Sequence, residues 1–123
     1  MRALVVDDSR ATGAAIERLL RELNFSVLLA QDGRQALVRL TEQGPVDVML
    51  VDWNMPEMNG YELLCAVRAD PRWQGIPVMM VTSEVELAGV RRALEAGANE
   101  YLMKPFTGEA LHDKLALLGL VET

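Results

Sequence analysis

Residues 46–56 read VDVMLVDWNMP. The first six form a largely apolar run of strand length, and the acidic residue Asp52 directly follows this run. Four further apolar runs of similar length lie at residues 3–6, 27–30, 76–81 and 101–103. Runs that are continuously apolar, as opposed to alternating, are typical of strands buried on both faces of a parallel sheet. The five runs therefore predict five parallel strands, with the run before Asp52 near the centre of the sheet.

Apolar residues at helical spacing separate these runs, for example Ile16, Leu19, Leu20 and Leu23. Pairs of polar residues typical of helix starts precede three helical segments: Asp32 with Gln35, Asn59 with Glu62, and Ser83 with Glu86. Gly44-Pro45 and Gly97 indicate helix ends. The pattern predicts an α/β fold in which a doubly wound, five-stranded parallel sheet carries helices on both faces, connected by right-handed crossovers.

Polar side chains collect at the ends of four of the five predicted strands. They are Asp7, Asp8, Asp52, Thr82, Ser83 and Lys104. Ligands of open α/β sheets bind beyond the carboxyl ends of the strands, where the strand order reverses. Because Asp7 and Asp8 can meet Asp52 only if the first and third strands are neighbours, the predicted strand order is 2-1-3-4-5.

The chemistry of this strand edge favours phosphoryl transfer. Three clustered carboxylates repel one another unless a cation is present, and Mg²⁺ is the cation that prefers such oxygen ligands. Lys104 adds a fixed positive charge that can hold a phosphoryl oxygen or the carboxylate of Asp52, and Thr82 and Ser83 add a hydroxyl and a backbone amide. We expect Asp52 to be the nucleophile and to form an aspartyl phosphate.

Composition excludes several other classes of protein. The 123 residues predict one domain spanning 1–123, and a net charge of −6 argues against a basic nucleic-acid or anionic-lipid surface. Cys65 and His112 are the only cysteine and histidine, which leaves no basis for a disulfide or a zinc site. No apolar run is long enough for a transmembrane helix and the first residues do not resemble a signal peptide, so we expect a cytoplasmic protein. Trp73, after Pro71, is expected to be partly exposed.

The chain resembles a known family, the receiver domains of bacterial two-component response regulators. The residues that carry the resemblance are VVDDS at 5–9, VDWNMP at 51–56, Gly60, VTS at 81–83 and YLMKPF at 101–106. The resemblance covers essentially the whole chain and is closest to the stand-alone chemotaxis (CheY-like) type. It implies the flavodoxin-like (βα)₅ fold, with the same strand order.

The resemblance also assigns roles at the phosphorylation site. It implies that Asp52 is the phosphoacceptor, that Asp8 binds Mg²⁺ directly with the assistance of Asp7, and that Asn54 supplies a backbone carbonyl to the metal. Lys104 would contact the phosphoryl group, and its peptide bond to Pro105 would be cis. The protein would be a switch that catalyses its own phosphorylation and dephosphorylation, and not a turnover enzyme.

A conformational switch and its partners follow from the same resemblance. Thr82 and Ser83 would close on the phosphoryl group and Tyr101 would turn inward, which would alter the face formed by the fourth helix, fifth strand and fifth helix. The donor would be a histidine kinase or phosphotransfer protein, and the output an unidentified protein. Dimerising relatives carry an acidic pair and a double arginine where Asn99-Glu100 and Leu117-Leu118 stand here, so we expect a monomer.

Three alternatives remain open at this stage. The chain could be a docking module with a receiver fold that is not phosphorylated, or a receiver fragment of a longer regulator. It could also be an aspartate-nucleophile phosphohydrolase. Such enzymes place the nucleophile after the first strand with a second aspartate two residues later, whereas position 9 here is serine.

Overall fold

Five strands and five helices alternate along the part of the chain that the structure, a computed structural model, describes: residues 1–83 and 89–122. The elements are β1 (Arg2–Val6), α1 (Arg10–Glu22), β2 (Ser26–Ala30), α2 (Gly33–Gln43), β3 (Val48–Asp52), α3 (Gly60–Ala69), β4 (Val78–Thr82), α4 (Val90–Glu95), β5 (Glu100–Met103) and α5 (Gly108–Leu117). Each strand starts or ends within two residues of its predicted apolar run. None of the described helices is both long enough and apolar enough to cross a membrane.

The strands form one parallel sheet in the order β2-β1-β3-β4-β5, which confirms the predicted order. The register pairs Val6 with Val51, Asp52 with Val81, and Thr82 with Met103. The carboxyl ends of neighbouring strands are therefore level, and the residues that follow them share one edge of the sheet.

The core has two layers, one on each face of the sheet. The buried side chains of α1 and α5 pack with Ala3, Val5 and Leu50 on one face, and those of α2, α3 and α4 pack with Leu4 and Met49 on the other. Every residue of β3 and β4 is buried. This two-sided burial is the physical reason why these strands are continuously apolar in sequence.

Local capping explains where most helices begin. The side chains of Asp32 and Asn59 accept hydrogen bonds from the backbone of Gln35 and Glu62, both at 2.8 Å, as predicted. Ser9 and Thr107 cap α1 and α5 in the same way, although neither was predicted as a cap. The predicted pairing of Ser83 with Glu86 lies outside the described residues, because Glu86 belongs to the segment 84–88.

The expectation for Trp73 was wrong. Its side chain is 5% exposed and belongs to the core cluster below α2, α3 and α4. The guanidinium of Arg72 lies 4.3 Å from the centre of the ring. Pro71 indicates a turn, but it does not indicate whether the indole of Trp73 packs against the core or faces solvent. A position in a loop was therefore a poor guide to the burial of this side chain.

Two glycines in helices have opposite steric surroundings. A Cβ atom on Gly13, inside α1, would meet no atom within 4 Å. A Cβ atom on Gly60, the first residue of α3, would collide with the backbone carbonyl oxygen of Asp52 and lie 3.0 Å from Cε of Met80. Only Gly60 is therefore required by close packing, and it lets α3 begin directly against the end of β3.

Gly13→Ala is expected to stabilise the protein by about 0.5–1 kcal/mol, because alanine has the higher helix propensity and the added methyl has room. Gly60→Ala is expected to destabilise it by about 1–3 kcal/mol, because the methyl would displace the backbone at Asp52. Equilibrium denaturation of both variants measures these differences, and a loss of stability in Gly13→Ala would contradict the first assignment.

Candidate functional site

The carboxyl edge of the sheet brings together Asp7, Asp52, Thr82 and Lys104. Asp52 and Thr82 are the last residues of β3 and β4, and Asp7 and Lys104 directly follow β1 and β5. Hydrogen bonds between backbone groups continue past the strands, since the amide of Asp7 donates to the carbonyl of Ala30 at 3.0 Å and that of Lys104 to Thr82 at 2.6 Å. The sheet therefore holds the backbone of the site rigidly.

Three carboxyl groups form the centre of the site. Carboxylate oxygens of Asp7, Asp8 and Asp52 all lie within 4.8 Å of one another. The side chains of Asp7 and Asp52 are only 2% and 8% exposed, whereas Asp8 is exposed. One oxygen of Asp7 accepts a hydrogen bond from the amide of Ser9 at 2.8 Å, which orients this carboxylate from the start of α1. Hard oxygen ligands in this arrangement fit Mg²⁺, with Asp8 on the side open to solvent.

Lys104 places a single ammonium group between the two buried carboxylates. Its Nζ lies 3.2 Å from Oδ1 of Asp52 and 3.4 Å from Oδ2 of Asp7. The sequence pattern predicts that Lys104 pairs with Asp52 or a phosphoryl oxygen, but it does not predict the contact with Asp7. One ammonium against three carboxylates leaves the site with excess negative charge when all three are ionised.

The protonation equilibria of the site reflect this excess. Burial and the negative charge of Asp7 raise the pKa of Asp52 from 3.8 to about 6, although the ammonium of Lys104 opposes this change. Burial lowers the pKa of Lys104, but the charges of Asp52 and Asp7 outweigh it and the pKa is raised overall. Lys104 is therefore a permanent cation, and the site accommodates a further positive charge.

The other predicted site residues differ in how far they are buried. Thr82 is completely buried, and its hydroxyl donates to the carbonyl of Ser83 at 3.2 Å. Asn54 is exposed, two residues after Asp52. The peptide bond between Lys104 and Pro105 is cis, as expected. The functional roles of Thr82, Ser83 and Asn54 stay predictions.

Tyr101 lies apart from the carboxylates, on the outer strand β5. Its half-buried ring packs against the core below α2, α3 and α4, and the ammonium of Lys114 lies 4.3 Å from the ring centre. Lys114 also pairs with Glu100 at 2.9 Å. The ring is thus in contact with α5, and its role as a switch stays a prediction.

Comparisons with known proteins agree with this geometry. The sequence model of the family described as response regulator receiver domain matches residues 3–116. The chemotaxis protein CheY1 of Helicobacter pylori is 44% identical over 119 residues, which is 96% of each chain. The solved structure of chemotaxis protein CheY4 of Vibrio cholerae has a TM-score of 0.87 at 33% identity, over 94% of this chain and 96% of that one.

A second similar structure contains a metal ion. It is the receiver domain of the sensor histidine kinase PA1611 from Pseudomonas aeruginosa, which has magnesium coordinated in its active site cleft. Its TM-score is 0.83 at 32% identity, over 96% of this chain and 97% of that one.

In metal-free buffer, Asp52→Asn is expected to stabilise the protein by about 1–3 kcal/mol at about pH 8. The pKa of this acid is raised in the folded state, so ionised Asp52 destabilises the fold at a pH above about 6. The destabilisation is lost as the pH falls through about 6 towards 3.8, because the carboxyl group becomes protonated first in the folded state and then in the unfolded state. The gain from the amide should therefore be nearly constant from about pH 8 to about pH 7 and should shrink between about pH 6 and about pH 4, as measured by denaturation with a chelator present.

Asp113→Asn is the matched control, because the side chain of Asp113 is 71% exposed on α5. This variant should show little change in stability over the same range of pH. A gain in Asp52→Asn that is independent of pH would argue against charge as its cause.

Proposed function

The chain belongs to the family of response regulator receiver domains, and we propose that it is a Mg²⁺-dependent phosphoacceptor switch whose acceptor is Asp52. The observation that carries the proposal is the position of the Asp52 carboxylate, which is buried at the end of β3, lies within 4.8 Å of two other carboxylates and is 3.2 Å from the ammonium of Lys104. A fixed cation and a set of hard oxygen ligands around one carboxylate are what phosphoryl transfer to that carboxylate requires.

In the proposed reaction a carboxylate oxygen of Asp52 attacks phosphorus. A new P–O bond forms as the bond from phosphorus to the donor breaks, and the donor leaves as imidazole or as a carboxylate. Lys104 stabilises the negative charge of the equatorial phosphoryl oxygens. Water later attacks the phosphorus of the aspartyl phosphate, which releases inorganic phosphate and restores the carboxylate.

The residues present fit a bound Mg²⁺. Asp8 and Asp52 would hold it together with the backbone carbonyl of Asn54, and Asp7 would assist. Bound Mg²⁺ supplies charge neutralisation for the transferring phosphoryl group. Asp7 also accepts from the amide of Ser9 and pairs with Lys104, so it orients two parts of the site at once.

The output of the switch is proposed to be the face formed by α4, β5 and α5. Leu94, Met103 and Leu117, one on each of these elements, are three of the six exposed large hydrophobic side chains among the described residues. Each of the three elements therefore offers one exposed apolar side chain that a protein partner could cover. Closure of Thr82 and Ser83 on the phosphoryl group, with inward movement of Tyr101, would change this face.

The proposed partners are a histidine kinase or phosphotransfer protein as donor and a second protein as target. The relatives named as chemotaxis proteins make chemotaxis the pathway to test first. The chain would act as a monomer in the cytoplasm, where the donor has to meet Asp52.

Incubation with a small acyl phosphate and Mg²⁺ is expected to add a single phosphoryl group to the wild type and none to Asp52→Asn. The carboxamide that this substitution introduces is not a nucleophile of comparable strength, and it cannot form the acyl phosphate. Intact-protein mass spectrometry measures the adduct, with Asp113→Asn as a control that should react normally. A stable adduct on the variant without Asp52 would refute the assignment of the acceptor.

Rapid hydrolysis could hide the adduct, so beryllofluoride serves as a stable analogue of the phosphoryl group. Wild-type protein that binds neither acyl phosphate nor beryllofluoride would favour the docking module without phosphorylation.

Mg²⁺ is expected to raise the melting temperature of the wild type, because binding to the folded state stabilises it. Asp8→Asn should require at least roughly tenfold more Mg²⁺ for the same increase in melting temperature, since one carboxylate ligand is lost. Thermal unfolding at a series of Mg²⁺ concentrations measures the effect. Asp8 is exposed, so the folded state should tolerate this change.

Glu57→Gln is the control for general electrostatics. Glu57 is an exposed acid in the loop after Asp52 and is not one of the three clustered carboxylates. Equal weakening of the Mg²⁺ effect in Glu57→Gln and Asp8→Asn would contradict coordination by Asp8.

A further inference from the structure

Trp53 joins the end of β3 to neighbouring parts of the fold. It directly follows Asp52, and its backbone is fixed on both sides. The amide of Trp53 donates to the carbonyl of Val81 at 3.0 Å, and its carbonyl accepts from the amide of Gly60 at 3.0 Å. A shift of the backbone at Asp52 therefore has a direct route to the indole ring of the next residue.

The indole ring lies against Gly89, the residue that precedes α4. A Cβ atom on Gly89 would collide with Cζ2 of the ring and would lie 2.9 Å from Cη2 and 3.1 Å from Cε2. The backbone of Gly89, with φ −82° and ψ −12°, is in a conformation that any residue adopts. Glycine at this position is therefore explained by the approach of the Trp53 ring and not by backbone geometry.

A second contact reinforces the first. The ring of Tyr61, at the start of α3, lies 6.3 Å from that of Trp53 at an angle of 53°. The guanidinium of Arg92, in α4, lies 4.2 Å from the centre of the Tyr61 ring. Trp53 thus touches the start of α4 directly and is connected to it again through Tyr61 and Arg92.

We propose that Trp53 and Gly89 are positioning residues whose contact couples phosphorylation of Asp52 to the placement of the start of α4. The inference rests on the proposed function, since it takes Asp52 to be the phosphoacceptor. The contact belongs to the structure without a phosphoryl group and stabilises that state. Weakening the contact shifts the equilibrium towards the phosphorylated arrangement and so raises the affinity of the site for a phosphoryl group.

The test measures the affinity for beryllofluoride at saturating Mg²⁺, by calorimetric titration, in Gly89→Ala, Trp53→Phe and the double variant. Each single variant should bind roughly threefold to tenfold more tightly than the wild type. Phenylalanine lacks the ring atoms nearest to Gly89, so the double variant should bind no more than about twofold more tightly than Trp53→Phe alone.

A spectroscopic measurement separates coupling from loss of packing. The indole N–H resonance of Trp53, followed by NMR, should shift when beryllofluoride binds to the wild type. In Gly89→Ala without beryllofluoride, it should already lie part of the way towards the bound position. Gly75→Ala is the matched control, because a Cβ atom there would meet nothing within 4 Å, and it should change neither affinity nor spectrum.

The proposal would be overturned if both single variants bound beryllofluoride within twofold of the wild type. It would also be overturned if the affinity gain of the double variant equalled the product of the two single gains, because the two residues would then act independently. If Gly89→Ala does not fold, Trp53→Phe alone still decides, since an unchanged affinity contradicts the coupling. Wild-type protein that does not bind beryllofluoride, or Asp52→Asn that binds it equally well, would instead refute the proposed function.

Discussion

The constraint on which this structure depends is the concentration of three carboxylates around one ammonium at the edge of a parallel sheet. Burial and the repulsion of neighbouring carboxylates raise the pKa of Asp52 to about 6, so the fold holds this group at an energetic cost. The sheet keeps these groups together despite their repulsion, because β3 and β4 are buried on both faces and cannot separate without exposing both layers of the core. The same strain makes the site receptive to a cation, which relieves it.

The sequence was sufficient to predict the strand order and the place where the polar residues meet. Both follow from local patterns: apolar runs of strand length, helical spacing between them, and the polar residues that end each run. The expected meeting of Asp7 and Asp8 with Asp52 favoured neighbouring first and third strands, and the structure confirms the predicted order. The structure also places Lys104 beside Asp52.

Contacts between side chains of distant elements could not be predicted in the same way. Burial of Trp73 and the approach of Trp53 to Gly89 depend on how helices and loops pack on the sheet. The second salt bridge of Lys104, to Asp7, depends on how its side chain crosses from the end of β5 towards the end of β1. A glycine in sequence shows that a side chain is missing but not what takes up the space. The stacking of Lys114 on Tyr101 likewise joins α5 to β5 and leaves no periodic pattern in the sequence.

Three contacts that the sequence does not predict, one of them between Trp53 and Gly89, meet at the loop after Asp52. Met58 packs against Gly33, where a Cβ atom would lie 2.6 Å from its sulfur, Gly60 abuts the carbonyl of Asp52, and Trp53 covers Gly89. Three glycines therefore let α2, α3 and the start of α4 close on one short segment. At these three contacts, small displacements produce steric overlap on one side or a void on the other. Movement of the backbone at Asp52 would therefore be transmitted to α3 and to the start of α4, which is the coupling that the proposed switch requires.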